Sequence, residues 1–324
     1  QEAPAKMVVQ KEEQRIEQEQ KTEEDKVRDH LRAFARTIPS FIMASPRPEE
    51  LTIDNLTDDI ADADFTNLTS ITKHEFTRLR DGFNYVENGQ AKHFEGLFDK
   101  YIFNASIKEF EAKRKELADY FIDQKEDIFD YIPPQKTNQI FTPKNVVKMQ
   151  VDLLEKENPG LFNSPHTTFA DLYIKSGLYI TEIVKRLYKG LAHQIPDHNQ
   201  RIKHILENQV YGYAPTQIIY DIATNYIFGE FSQNISRQNF KQLDTAEIFK
   251  KGQTIDMKFD VIIGNPPYQE ETKDTSDKPI YNLFMEGAYK LSSKVCYITP
   301  ARFLFNAGKT PKKWNEKMLN DTHL

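Results

Sequence analysis

The chain has a single cysteine, Cys296, among 324 residues. That excludes a disulfide framework and a cysteine-ligated zinc site, and it fits a reducing, cytoplasmic compartment. No run approaches the roughly eighteen apolar residues that a membrane helix needs, so the expectation is no membrane span and no membrane partner. No charged-then-apolar leader stands at Gln1, so secretion is not expected. A basic excess is missing too: 43 Lys and Arg against 49 Asp and Glu give a net charge of -6 and a pI near 5.8. Any contact with nucleic acid is therefore local or lies on another segment. The eight histidines show no ligand spacing; His193 and His198 lie five apart. The acids from Glu49 to Asp64 lack the spacing and central glycine of a calcium loop. Gly308-Lys309-Thr310 mimics the end of a phosphate loop, but Phe303 stands where its first glycine belongs, so no ATP site follows. No elbow sequence supports a Ser-His-Asp site.

What is present is a highly charged globular chain, 28% charged and 39% hydrophobic, long enough for about two domains. Thirteen of the nineteen residues from Lys11 to Asp29 are charged. Val27, Leu31, Phe34, Ala35 and Ile38 follow at helical spacing, and Pro39 ends the pattern. Residues 1–44 thus read as a charged linker helix. Ser45-Pro46-Arg47-Pro48 breaks the chain. The next stretch, 45–130, reads as a helical spacer domain. Within it Phe94, Leu97, Phe98 and Tyr101 are expected on one helix face, and Leu117, Tyr120, Phe121 and Ile128 on another. Asp123-Gln124-Lys125, a faint echo of a nuclease element, reads as helical surface charge.

Tyr131-Ile132-Pro133-Pro134 marks a boundary, and 131–324 reads as a third unit. Thr142-Pro143 is expected to start a helix, with Thr142 as its cap. Strand patterns at Phe169–Leu172, Gln209–Tyr213, Phe259–Ile263 and Val295–Ile298 then alternate with helical faces. Those faces include Ile180 to Leu191, Ile218 to Tyr226 and Tyr281 to Leu291. The alternation predicts an α/β fold with a mostly parallel sheet.

The sharpest signal is Asn265-Pro266-Pro267-Tyr268, directly after the apolar strand. Average residue usage gives this tetrapeptide by chance in roughly one chain in a thousand of this length. In an open α/β sheet, ligands bind beyond the carboxyl ends of strands. The prolines fix the backbone. Asn265 offers an amide oxygen and Pro266 a carbonyl, so the pair can accept both hydrogens of a planar amine. Tyr268 offers a face for a base to stack on. The bland alternative is a proline-rich turn.

Phe259 to Tyr268 resembles the catalytic motif of amino-group methyltransferases, above all the adenine-N6 DNA methyltransferases of restriction–modification systems. Ile140-Phe141-Thr142-Pro143 is similar to that family's cofactor-side motif. Phe169 to Gly177 resembles its S-adenosylmethionine loop, and Asp244 stands where an adenine-side acid is expected. The resemblance covers residues 136–324. It implies an S-adenosylmethionine-dependent, Rossmann-like core preceded by an all-helical domain. Asn265, Pro266 and Tyr268 would be catalytic, holding and stacking an adenine flipped out of double-stranded DNA. Phe141, Thr142, Pro143, Asp171, Gly177 and Asp244 would bind the cofactor. No metal is implied. Two departures stand out. Lys175 replaces the first of two loop glycines, and Tyr211-Gly212-Tyr213-Ala214-Pro215 carries no acid for the ribose, for which Glu182 or Asp221 could substitute.

Leu31 to Pro39 resembles the segment after restriction-enzyme motor domains. Together with the opening at Gln1 and the ending at Leu324, it points to a piece of a single-chain type ISP enzyme. A nuclease and helicase motor upstream and a target-recognition domain downstream are then expected partners on the same full-length chain. Two alternatives use the same residues: methylation of another planar amine, in an RNA base or a protein glutamine, and an inactive coupler or scaffold.

Overall fold

The computed structural model describes residues 34–132, 141–270, 278–305 and 309–322. The expected helix before Phe34, the Pro133-Pro134 turn, Ile140 and Gly308 lie outside the described residues.

The N-terminal part opens with α1 (Ile38–Ala44), whose side chains are almost all buried. Next come α2 (Asp62–Thr69) and α3 (Lys73–Asp81). Thr72 and Glu75 form a reciprocal capping box that satisfies the first free N–H groups of α3. At Gly82 the chain takes φ +82, a conformation that costs glycine little. There the expectation of a helical 45–130 stretch, with Phe94 on a helix face, needs correction. Residues Phe83–Glu87 (β1) and Gln90–Phe94 (β2) form an antiparallel hairpin. Its turn is Asn88-Gly89, both at positive φ (52 and 76), the geometry that matches hairpin twist. Phe94 is therefore on a strand, and Tyr101, on α4 (Lys100–Glu116), is exposed. Asp99 caps α4 by accepting from the N–H groups of Tyr101 and Ile102. Leu117, Tyr120 and Ile128 are buried as expected, but from irregular chain and a short 3₁₀ turn rather than a helix face. Asp123 to Lys125 are likewise not helical.

An aromatic cluster organises this region. Phe34 stacks on Phe76 at 4.5 Å and Phe41 on Phe65 at 5.7 Å, and Phe98 meets Phe76 edge-on. Each fully buried phenylalanine contributes roughly 1.5–3 kcal/mol of transfer free energy. The same core continues into the rest of the chain. The Asn225 amide donates to the carbonyls of Met43, Ala44 and Ser45 at 3.2, 3.0 and 3.3 Å. Tyr120 donates its hydroxyl to the Ile227 carbonyl at 3.0 Å.

The second part is an α/β sandwich. After α5 (Lys144–Glu157) come β3 (Phe169–Asp171), α6 (Leu178–Gly190) and α7 (His198–His204). The chain continues through β4 (Val210–Ala214), α8 (Gln217–Phe228), β5 (Phe240–Gln242) and α9 (Thr245–Lys250). It then forms β6 (Val261–Gly264), α10 (Tyr281–Leu291), β7 (Lys294–Tyr297) and α11 (Lys312–Leu319). The five strands β3 to β7 pair in the order β5-β4-β3-β6-β7, every pair parallel. Strand alternation sorts the side chains into two layers. Phe169, Val261 and Ile263 join the core beneath α5, α6 and α8. Ala170 and Ile262 join the opposite core, with Phe249 of α9 and Phe284 of α10. The chain leaves β3 toward β4 on one side and returns to β6 on the other. That reversal opens a crevice at the carboxyl ends of β3 and β6, where ligands bind in such sheets.

Candidate active site at the carboxyl edge of the sheet

Strand β6 delivers Asn265 to that crevice. It is buried along its length because both faces are covered, and it stops where Pro266 and Pro267 remove ladder donors. Both prolines are buried, so the turn is held from outside as well as by its rings. The Asn265 Nδ2 group donates to Thr142 Oγ1 at 3.2 Å. Its Oδ1 is buried and accepts no hydrogen bond among the described residues. Nor does the Pro266 carbonyl accept one among the described residues. A buried, unpaired acceptor costs about 1–3 kcal/mol, so the site stores an unmet demand for a donor. Tyr268 is 38% exposed. Its carbonyl accepts from the N–H of Ile280 at 3.0 Å, which ties the turn to α10.

Thr142 therefore does not cap α5 as expected. Pro143 occupies the N-cap position and no side chain caps the helix; the Thr142 hydroxyl faces Asn265 instead. Two residues further support this corner. Gln150 of α5 donates to the Cys296 carbonyl at 2.6 Å and to the Gly264 carbonyl at 3.4 Å. Its Oε1 accepts from the Tyr179 hydroxyl at 2.7 Å. One amide thus braces the ends of β6 and β7 against α6. The sequence pattern places Gln150 on an apolar helix face without giving it a role. A glutamine inside an apolar stripe is the signal that marks it.

Asp171 ends β3 and is 4% exposed. Its Oδ1 accepts from the Tyr173 N–H at 3.0 Å. Burial pushes its carboxyl up from 3.8 to about 7, against the pull of that hydrogen bond and of the Lys175 charge. Burial likewise lowers the Lys175 ammonium below its ordinary range, with Asp171 acting in the opposite direction. Gly264 lies against Asp171: a Cβ there would stand 3.0 Å from Oδ1. The Tyr297 hydroxyl is also buried without a partner among the described residues, and burial plus the Asp171 charge raise it well above its ordinary value. Tyr297 is a second residue to which the sequence pattern gives no role.

The other expected cofactor residues have visible structural roles. Gly177 holds φ +88 at the N-cap of α6, and a Cβ there would meet Ile227 at 3.0 Å. Asp244 follows the edge strand β5 and caps α9 by accepting from the Ala246 N–H at 3.0 Å. Phe141 packs edge-on against Phe129 at 5.0 Å. Asn265, Thr142 and Asp171 thus gather at the β3–β6 crevice, whereas Asp244 lies at the sheet's edge. Neither substitute ribose acid stands free. Glu182 pairs with Arg186 at 3.0 Å and Lys185 at 2.5 Å, and Asp221 accepts from Gln217 at 3.0 Å.

Residues 174–324 match the Eco57I restriction-modification methylase family. A protein of Mycoplasma pneumoniae (strain ATCC 29342 / M129 / Subtype 1), described as an uncharacterized adenine-specific methylase, is 24% identical over 290 residues. The match covers 68% of this chain and 69% of that relative. Among solved structures, a DrdV–DNA complex shares 14% identity at a TM-score of 0.45, covering 85% of this chain and 30% of the other. A nuclease-deletion mutant of the type ISP restriction-modification enzyme LlaGI, with a DNA substrate mimic, shares 14% at 0.44, covering 88% and 26%. The ATP-dependent type ISP enzyme LlaBIII bound to DNA shares 17% at 0.43, covering 62% and 18%. The chain spans under a third of each of these larger chains. Residues 174–324, which include the Asn265 turn, are thus similar to the Eco57I restriction-modification methylase family.

Proposed function

We propose that this chain is the DNA adenine-N6 methyltransferase module of a restriction–modification polypeptide. Its substrate is an adenine flipped out of double-stranded DNA, because a stacked base cannot reach a pocket at a sheet edge. The observation that carries the reading is the pair of unmet acceptors, Asn265 Oδ1 and the Pro266 carbonyl, on a turn that two prolines make rigid. A planar amine has two hydrogens to give, and this turn has two acceptors to receive them. Thr142 holds the amide so that its oxygen, not its nitrogen, faces the substrate. Accepting both hydrogens leaves the amine lone pair as the nucleophile and orients it. The half-exposed Tyr268 ring supplies a stacking face, worth about 1–3 kcal/mol per base.

The cofactor, S-adenosylmethionine, supplies an electrophilic methyl group on a sulfonium. The residues present fit it. Asp171 is a buried carboxylate with one backbone donor, at the end of the central strand, and it suits an ammonium. Gly264 brings no Cβ against Asp171 Oδ1. Phe141, Thr142 and Pro143 lie on the Asn265 side of this crevice, and Asp244 lies beyond β4. The catalytic work of the chain is orientation and exclusion of water.

In this reading residues 131–324 are the catalytic unit and 45–130 a coupler. Residues 1–44 link that coupler to a nuclease and motor upstream, and a target-recognition domain follows; the polypeptide works in the cytoplasm. The contacts of Asn225 and Tyr120 across the two parts support a coupling role. No described helix is long and apolar enough to cross a membrane. The reading is tested by calorimetric titration of the chain with S-adenosylmethionine, with ATP as control. Saturable one-site binding of the first and none of the second is expected. No binding by a folded chain overturns the cofactor assignment.

A further inference from the structure

Lys175 departs from the glycine that the family's loop usually carries, and its surroundings give the departure a use. It lies four residues beyond Asp171, between β3 and the start of α6. Its side chain is half-buried, and its ammonium makes no hydrogen bond and no ion pair among the described residues. Asp171 is buried and, among the described residues, has a single backbone donor. The two groups sense each other's charge yet do not close into an ion pair. A buried carboxylate and a half-buried ammonium that are not joined are both expensive to keep charged. A ligand that carries both signs relieves both at once: its carboxylate faces the ammonium, its ammonium the carboxylate. Gly264 adds no side chain beside Asp171 Oδ1, where a Cβ would stand only 3.0 Å away.

We propose that Lys175 is a binding residue for the carboxylate of the cofactor's amino-acid end, with Asp171 opposite it on the ammonium. The inference rests on the S-adenosylmethionine reading above, and it turns the lysine from an obstacle into a ligand. A zwitterion fits this pair better than a plain anion, which would leave Asp171 unpaired and add repulsion.

The test is equilibrium binding, not turnover. The chain is titrated calorimetrically with S-adenosylmethionine, with its decarboxylated form and with 5′-methylthioadenosine, which lacks the amino-acid end. Wild type should bind S-adenosylmethionine at least about tenfold more tightly than the decarboxylated form, the loss expected for one charge-assisted hydrogen bond. Lys175→Met should lose about tenfold for S-adenosylmethionine and leave the other two ligands within about twofold. Lys175→Arg should retain most of the affinity. The proposal is overturned if a folded Lys175→Met chain binds S-adenosylmethionine like wild type. It is overturned equally if wild type does not distinguish the decarboxylated form, a comparison that needs no variant to fold. Binding of none of the three by wild type would sink the cofactor reading itself, and this proposal with it.

Discussion

Asp171→Asn tests the electrostatics of the crevice without any assumption about turnover. Asp171 is 4% exposed and has one backbone donor, so its charged form is poorly compensated. Its carboxyl stands at about 7 in the folded chain against an ordinary value of 3.8. The folded chain therefore holds this proton more tightly than the unfolded chain does. The sign follows: the stabilisation is complete below about pH 4 and is lost as pH rises through about 7. The full difference corresponds to about 4 kcal/mol, of which about 2–3 kcal/mol falls between pH 5 and pH 8. The amide of the Asp171→Asn variant has no proton to lose over that range. Urea denaturation of both proteins at about pH 5 and pH 8 should show wild type declining more than the variant by about that amount. Equal slopes with pH in the two proteins would refute the account of Asp171 as a buried, under-compensated carboxylate.

Other perturbations probe the same corner. Gly264→Ala places a Cβ 3.0 Å from Asp171 Oδ1; a stability loss of about 1–3 kcal/mol is expected, with weakened cofactor binding. A variant that melts and binds like wild type would contradict the tight packing there. Tyr179→Phe removes the donor to Gln150 Oε1 and leaves that oxygen buried. It should cost about 1–3 kcal/mol in thermal denaturation, and no change would dismiss the brace. Tyr268→Ala should slow turnover on the recognised site by about 1–3 kcal/mol of lost stacking; unchanged turnover refutes the ring's role.

How much is legible in the sequence depends on how local each signal is. Helices α6, α8 and α10 bury stripes that repeat at helical spacing, and the chain shows them directly. Strand β6 and the Asn265 turn are legible together, because an apolar run followed by two prolines has few other meanings. Strand β5 is not: it is three residues long with only Phe240 buried. The hairpin escapes a pattern reading because Gln90 to His93 are exposed and polar, although Asn88-Gly89 is the turn signal that finds it. Leu117 and Tyr120 have helical spacing but reach the core from irregular chain after α4 ends. The role of Thr142 is out of reach for a different reason. A threonine before a helix reads as a cap, and only the partner 123 positions away redirects its hydroxyl. The same holds for Gln150, whose partners lie on three other elements.

The central claim is that the Asn265 turn receives an adenine amine. The most direct measurement incubates the polypeptide with duplex DNA and methyl-labelled S-adenosylmethionine, digests the DNA to nucleosides and identifies the labelled product. The account predicts label in N6-methyladenine for wild type and none for Asn265→Ala with an unchanged melting curve. Label on another nucleoside, or wild-type yield from the Asn265→Ala chain, would contradict it.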